Sequence, residues 1–413
     1  MALKNTQNRT IVLPIPEKQY KEFIIDNKAA HEIIENYYSE MPECFPIEMS
    51  KGYHLNGRTR LSKKMNIQMR KIKLGNISYR IRPSFILPYQ RGKTDEASKG
   101  LFLLGFGVPF WAVALTFGHN AMWWYRLYLS FGRYSLVGTT IRDPQLLPND
   151  ILADEHHTKQ NGKKVYIATT IGKGCFLGMA ASGNVDEESL HNAYNEFKEE
   201  ALDLNPDYQP DTTNTDGWAA TKNVWKNLFP SITIIECFLH AFLKVRNKAT
   251  KDLKEDFDKA GDKIWNCYRA NSKSELSQQI RRLSEWASKL SPSAMKENIL
   301  KICKKKDIWM EHLDYPKAHR TSNMLDRLMR SMDKHAFNSQ KFHGKDLQRT
   351  TDNFRAFALL HNFRPSHPSV WKNPRNFDSP AARLNGFVYH DDWLQNLLIA
   401  TSLGGFRNHR NPL

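Results

Sequence analysis

Three acids in this sequence stand where phosphodiester chemistry could use them. Asp154 closes an apolar run, Ile151-Leu152-Ala153, that reads as a short strand from Asn149 with a carboxylate at its far end. Thr213-Asn214-Thr215-Asp216-Gly217 reads as the end of another strand, again finishing in an acid. Asp326 falls in the first turns of a helix that Thr321-Ser322-Asn323 would start. Such a set can hold two divalent cations roughly 3.5–4 Å apart, one activating a water or a 3′-hydroxyl, the other stabilising the leaving oxygen. Oxygen ligands suit Mg²⁺ or Mn²⁺. Asp154 would bridge both ions, and Asp216 and Asp326 would each complete one. A plainer reading stands beside this: the chain has 43 acids, and an aspartate at a strand end is commonly a turn residue. The order of the surrounding elements has to decide between them.

That order is informative. After Asp154 come two further strand-like runs, Val165 to Ile171 and Cys175 to Ala180. Asn161-Gly162 marks a hairpin before them, and Gly172-Lys173-Gly174 joins them. Asp186 to Leu202 reads as a helix, with Leu190, Ala193, Tyr194, Phe197 and Ala201 forming one apolar stripe. Trp218 to Leu228 is a second helix, Ser231 to Glu236 a β-branched strand, and a third helix starts at Cys237. The sequence is therefore β-β-β-α-β-α-β-α, an α/β arrangement with two acids at the ends of neighbouring strands. Residues 249–318 carry only helical patterns and read as an all-helical insertion, with Leu283, Trp286, Ala287 and Leu290 on one apolar face. The Asp326 helix turns Met324, Leu325, Leu328, Met329 and Met332 inward. The tail from Phe363 is rich in Pro, Asn and Arg, with one further helix from Asp391 to Thr401.

Charge points to the partner. The 413-residue chain is 40% hydrophobic, enough for two or three domains, and carries a formal net charge of +17, which favours a polyanion. From Lys51 to Arg82 there are ten Lys and Arg residues and no Asp or Glu. Lys63, Lys64, Arg70, Lys71, Arg80 and Arg82 are candidate phosphate contacts, and binding through them should weaken steeply with salt. The alternative for any charge run is a solvated face. Ile77 to Arg82 alternates like a strand, and His31 to Tyr38 reads as a helix. A helix capped by Thr94 or Asp95, a second from Phe110 to Phe117 and a third from Ala121 to Phe131 resemble a helix-turn-helix, with Arg126 on the third. The plainer reading is a three-helix core that buries Trp124 and Tyr128. Leu101 to Phe117 is apolar but too short, and too interrupted by Gly105, Gly107 and Pro109, for a membrane span. The five cysteines form no Cys-x-x-Cys pair, which fits a reducing compartment, and Met1 to Gln7 lacks the apolar core of a secretion signal. A cytoplasmic, nucleoid-associated protein is expected, with no membrane partner.

At this point the chain resembles a family. Asp154-Glu155, Asp216-Gly217 and the later helix resemble the catalytic core of bacterial insertion-sequence transposases of the mutator-like kind, with their Asp-Asp-Glu or Asp-Asp-Asp triads. Cys237-Phe238-Leu239-His240 is similar to their Cys-x-x-His signature, and Thr321 to Asp326 to their Thr-x-Asn-x-x-acid helix start. The resemblance covers roughly residues 150 to 362. It implies a ribonuclease-H-like mixed sheet with an all-helical insertion, preceded by a mainly helical DNA-binding region. The corresponding segments are 1–50 (role unread), 51–148 (basic, helix-turn-helix-like), 149–248 with 319–362 (catalytic), 249–318 (insertion) and 363–413 (tail). It further implies strand cleavage and 3′-hydroxyl transfer with Mg²⁺ or Mn²⁺ on Asp154, Asp216 and Asp326. The DNA partners would be terminal inverted repeats and target, held by a homodimer or larger assembly. The family's third acid is usually Glu, and this chain has the shorter Asp326; Glu311 and Asp333 are substitutes. His240 is either beside the acids, meeting the scissile phosphate, or a core histidine. His156 and His157 are DNA contacts or strand-edge residues. Trp286 either stacks on an extruded base or packs. Arg320 and Arg327 are candidate phosphate contacts. The rival functions are a regulatory or domesticated DNA-binding protein on the same fold, and a structure-selective nuclease without strand transfer.

Overall fold

The computed structural model describes residues 8–321, 323–338, 346–367 and 378–406, with the backbone alone for Asn323, Leu325, Phe337 and Asn338. Met1 to Gln7, Ser322 of the helix-start motif, and residues 339–345, 368–377 and 407–413 lie outside the described residues. The chain is a mixed α/β protein with two sheets and divides into two compact units. Unit one comprises Met1–Leu147, Glu155–Tyr208 and Met329–Leu413, and unit two comprises Pro148–Asp154 and Gln209–Leu328.

Unit one contains a four-stranded mixed sheet of β1 (Thr10–Leu13), β2 (His54–Arg58), β3 (Arg70–Leu74) and β4 (Ile77–Pro83), ordered β1-β4-β3-β2. β1 runs parallel to β4, while β3 is antiparallel to both its neighbours. The region before β5 is mainly helical, as expected, and Ile77 to Arg82 falls in β4; β1, β2 and β3 are strands that the sequence reading does not include. β3 reads Arg-Lys-Ile-Lys-Leu, so its alternation of buried Ile72 and Leu74 with basic residues passes for a charge run. Helices α1 (Glu17–Ile25) and α2 (Asn27–Glu40) bury Tyr20, Phe23, Ala30 and Ile34.

Further along unit one, α3 (Thr94–Leu104), α4 (Phe110–Phe117), α5 (Ala121–Phe131) and the short α6 (Leu136–Thr140) follow. Asn120 caps α5 by accepting from Trp123 N–H. Neither Thr94 nor Asp95 caps α3: Lys93 holds the cap position without a side-chain bond, and the Thr94 hydroxyl donates to Phe85 O. Trp124 and Tyr128 are fully buried, so both are packing residues. α7 (Glu187–Leu204), capped by Asp186, buries its expected stripe and, with α15 (Leu347–Phe363), packs on β7. The Asn362 side chain ties α15 to β7 through Phe176 N–H and Phe176 O, at 2.9 and 2.8 Å. A Cβ on Gly132 would stand 1.8 Å from Asp352 O, so that approach of α5 to α15 requires glycine. In the tail, α16 (Pro380–Asn385) precedes α17 (Trp393–Ala400), the helix expected from Asp391 to Thr401.

The second sheet consists of β5 (Asp150–Gln160), β6 (Lys163–Gly172), β7 (Cys175–Ser182), β8 (Thr212–Thr215) and β9 (Thr233–Glu236), ordered β7-β6-β5-β8-β9. The β6–β7 pair is antiparallel, whereas β5–β8 and β8–β9 are parallel. Asn161-Gly162 and Lys173-Gly174 form the two-residue turns, with φ of 50° and 78°, and 48° and 80°.

Unit two carries the start of β5, β8 and β9, with α8 (Ala219–Leu228) between the last two and α9 (Phe238–Arg246) after them. α10 (Lys254–Arg269), α11 (Lys273–Ser288), α12 (Ala294–Lys304) and α13 (Lys306–Asp314) form a helical subdomain. Its core is continuous from Phe238 and Val245 on α9 through Ile264, Leu283, Ile299 and Trp309. Trp286 is partly buried against that core with Lys263 Nζ 5.8 Å from its ring, so it packs. α14 (Asn323–Asn338) contributes its first turns to unit two; beyond them Met332 is buried in unit one.

Candidate active site

Asp154 lies within β5, not at its end, because the strand continues to Gln160. The acids and histidines after it suggest a strand end in sequence, but Glu155 and His156 are both buried. Glu155 accepts a 2.8 Å hydrogen bond from the Tyr194 hydroxyl, which lets a carboxylate remain inside the strand. His156 places Nδ1 3.7 Å from Asp333, and burial lowers its pKa. His157 is exposed and packs edge-on against Tyr166. Asp154 itself is half-buried.

Asp216 directly follows β8. The parallel register pairs Asp150 with Thr212, Ile151 with Thr213 and Leu152 with Asn214. The pairing ends at Leu152 and Asn214; Asp154 lies two residues further along β5, and Asp216 two residues further along the chain, just past the end of β8. Asn214 donates to His319 O at 2.8 Å, holding the segment before α14 beside β8. Phe238 N–H donates to Arg320 O at 3.2 Å and ties the same segment to the start of α9. Asp216 also serves as a turn residue: its Oδ1 accepts from Trp218 N–H at 2.9 Å at the start of α8.

His240 sits one turn into α9, where Cys237 occupies the cap position. The Cys237 side chain is hydrogen-bonded to the imidazole and raises its pKa; burial opposes this, and Asp154 and Asp326 raise it further, to about 9. The imidazole therefore experiences the charge of a strand acid and of a helix acid together. Asp154, Asp216, Asp326 and His240 all belong to unit two.

Other acids have separate partners. Glu236, at the end of β9, is buried and bridged by Lys222 at 2.8 Å and Lys305 at 2.5 Å. Burial raises its pKa, but the two lysine hydrogen bonds outweigh burial and hold it below the ordinary value. The pKa of Glu311, one substitute for the third acid, is raised by burial, and its charged neighbours are Lys226, Glu236, Asp314 and Lys222. Asp333, the other substitute, pairs with His156. Asp326 is thus the helix acid that reaches His240.

The chain matches no protein-family model and no curated protein sequence.

The donor set suits a hard cation in type, since three carboxylates offer oxygen ligands alone. Among the described residues no group of three or more His, Cys, Asp and Glu is arranged to hold a metal ion as it stands.

The basic candidates fall into two groups. Lys63, Lys64, Arg80, Arg126 and Arg327 are exposed, and Lys71 is half-buried. Arg70 and Arg82 are buried and occupied, which corrects their assignment as phosphate contacts. The Arg70 guanidinium donates to Phe23 O, Asp26 O and Asn27 Oδ1, and that of Arg82 donates to Ile86 O at 2.8 Å. Each closes backbone carbonyls that would otherwise be buried without a partner. Arg320 donates to Tyr268 O at 3.0 Å and lies over the Tyr268 ring, so it too braces the fold. No helix among the described residues is long and apolar enough to cross a membrane.

Proposed function

We propose that this protein is a metal-dependent DNA transposase with a ribonuclease-H-like core. It would bind the ends of its own element, cleave a strand, and join the freed 3′-hydroxyl to target DNA. The observation that supports this reading is the parallel β5–β8 pairing, which ends at Leu152 and Asn214, with Asp154 two residues further along β5 and Asp216 two residues further along the chain, just past β8. The strand order β7-β6-β5-β8-β9, with helices joining β7 to β8 and β8 to β9, is the order such a core would have. Asp326, on the helix after the insertion, supports a third position through its effect on His240.

Asp154, Asp216 and Asp326 would hold Mg²⁺ or Mn²⁺. Bound there, the ions would supply an activated oxygen nucleophile and neutralise charge at the scissile phosphate. His240, charged at neutral pH, is suited to donate a hydrogen bond to a non-bridging phosphate oxygen. Exposed Lys63, Lys64, Arg80, Arg126 and Arg327 would hold the backbone of the DNA. Two ends must be held at once, so a dimer or larger assembly is part of the proposal.

The test is strand cleavage and joining on a duplex carrying the element's ends, with Mg²⁺. Wild type should cleave and join, while Asp154→Ala and Asp216→Ala should do neither yet bind the duplex normally. Equal cleavage by all three proteins would remove the catalytic assignment.

A further inference from the structure

Outside the carboxylates, unit one holds a cleft of about 480 Å³ between the segment before α3, helix α5 and the start of α15. Four guanidinium groups line it, Arg91, Arg126, Arg133 and Arg349, together with the rings of Tyr89 and Tyr125. Among the described residues none of the four arginines makes an ion pair. Each of the two tyrosines is paired with arginines. Arg91 lies over the Tyr89 ring at 5.3 Å, and Arg133 Nη1 is 3.4 Å from the Tyr89 hydroxyl. Arg349 lies over the Tyr125 ring at 5.4 Å and donates to its hydroxyl at 3.0 Å. Of the two carboxylates in the lining, Asp346 caps α15, and Asp352 accepts from Gln348 and also attracts Arg133 and the buried Arg355.

Like charges converge here at a cost. The Arg91 pKa is lowered, first by burial and then, against the effect of Tyr89, by Arg126 and Arg133. Arg91 Nη1 is buried without a hydrogen-bond partner. Tyr89 is 63% exposed and, with Gln90, adopts a left-handed backbone, at φ of 59° and 53°. Such strain in non-glycine residues persists where the surroundings enforce it, and it clusters at ligand sites. An anion accepting from several guanidinium groups would relieve the repulsion, and an exposed ring beside it offers a stacking face.

We propose that this cleft binds an unpaired stretch of a DNA strand, with its phosphates on Arg91, Arg126, Arg133 and Arg349 and a base stacked on Tyr89. Alternating guanidinium groups and aromatic faces are the chemistry by which single strands are held. A base inside a duplex has no free face to offer Tyr89, so the unpaired form is the ligand. The inference rests on the DNA reading above but not on the carboxylates. Strand processing at an element end would present such a segment.

The test is binding of the full-length protein in EDTA to a labelled single-stranded oligonucleotide and to the same sequence as a duplex, over a range of salt. EDTA removes any contribution from metal and from cleavage. Arg126, Arg133 and Arg349 are exposed, so their combined replacement by Ala should leave the fold intact. That variant should bind the single strand at least about 10-fold more weakly, with a salt slope smaller by about 2, three contacts at roughly 0.7 each. Lys at the three positions should restore the slope. Tyr89→Ala should weaken single-strand binding by about 5-fold or more and leave the duplex little changed. Wild-type affinity and slope in the triple Ala variant would overturn the proposal. So would equal losses on single strand and duplex with Tyr89→Ala silent, or full displacement of the oligonucleotide by inorganic phosphate or a nucleoside monophosphate. Loss of cleavage in Asp154→Ala with an inert cleft would leave the transposase reading standing and remove only this inference.

Discussion

The titration of His240 in metal-free protein tests whether Asp154 and Asp326 face one another across a shared space. An ordinary imidazole titrates near 6.5, and that of His240 is raised to about 9. The largest contribution is the hydrogen bond with Cys237, burial acts in the opposite sense, and the charges of Asp154 and Asp326 add to the rise. Cys237→Ala should therefore lower the midpoint most, and Asp154→Asn and Asp326→Asn should each lower it by less. With all three replaced only burial remains. The midpoint should then fall below 6.5, a drop of more than about 2.5 from the 9 of the wild type. Because the folded-state pKa is raised, the associated stability is complete below about 6.5 and lost as pH climbs through 9. Two-dimensional NMR of the histidine ring in EDTA reads the midpoint, and His240→Gln assigns the resonance. An unchanged midpoint in both Asn variants would refute the shared space.

Two structural predictions test how the site is held. Glu236→Gln removes the charge that Lys222 and Lys305 share, and the buried amide is a poorer partner, so stability at neutral pH should fall by roughly 1–3 kcal/mol. The Glu236 pKa is lowered in the folded state, so the wild-type advantage should be present above about 4.3 and vanish as pH falls below it; denaturant midpoints across pH check both statements. Gly132→Ala drives a methyl group into Asp352 O and should cost about 3 kcal/mol or more, readable as a lower thermal midpoint. A midpoint within error of wild type would show that α5 and α15 can separate without penalty.

The second sheet was legible because its signals are local. Asn161-Gly162 and Lys173-Gly174 supply the positive φ that a two-residue hairpin needs, and continuous apolar runs mark β6 and β7 beside them. All five residues of the α7 stripe are buried, and Glu200 and Leu204 join them. What sequence could not show lies in partnerships formed at long range. Glu155 stays in β5 because Tyr194, 39 residues away, answers its carboxylate. Nothing near Asp154 in sequence reveals that, so the local pattern predicts a strand end there. Arg70 and Arg82 count as free positive charge in a sequence, yet their hydrogen bonds go to carbonyls of the fold. β1 pairs with β4 across about seventy residues, a non-local contact that the four-residue run Thr10–Leu13 does not announce. The arginine–tyrosine cleft joins residues 89–133 to 346–352, and of its arginines only Arg126 drew notice in the sequence.

The most direct test of the proposed carboxylate site is Mn²⁺ binding followed by electron paramagnetic resonance, with wild type beside Asp154→Ala, Asp216→Ala and Asp326→Ala. The expected result is uptake by wild type, with each single variant weakened at least about 10-fold, as loss of a direct ligand requires. Wild-type Mn²⁺ affinity in all three variants would contradict the proposal that these carboxylates hold a common metal.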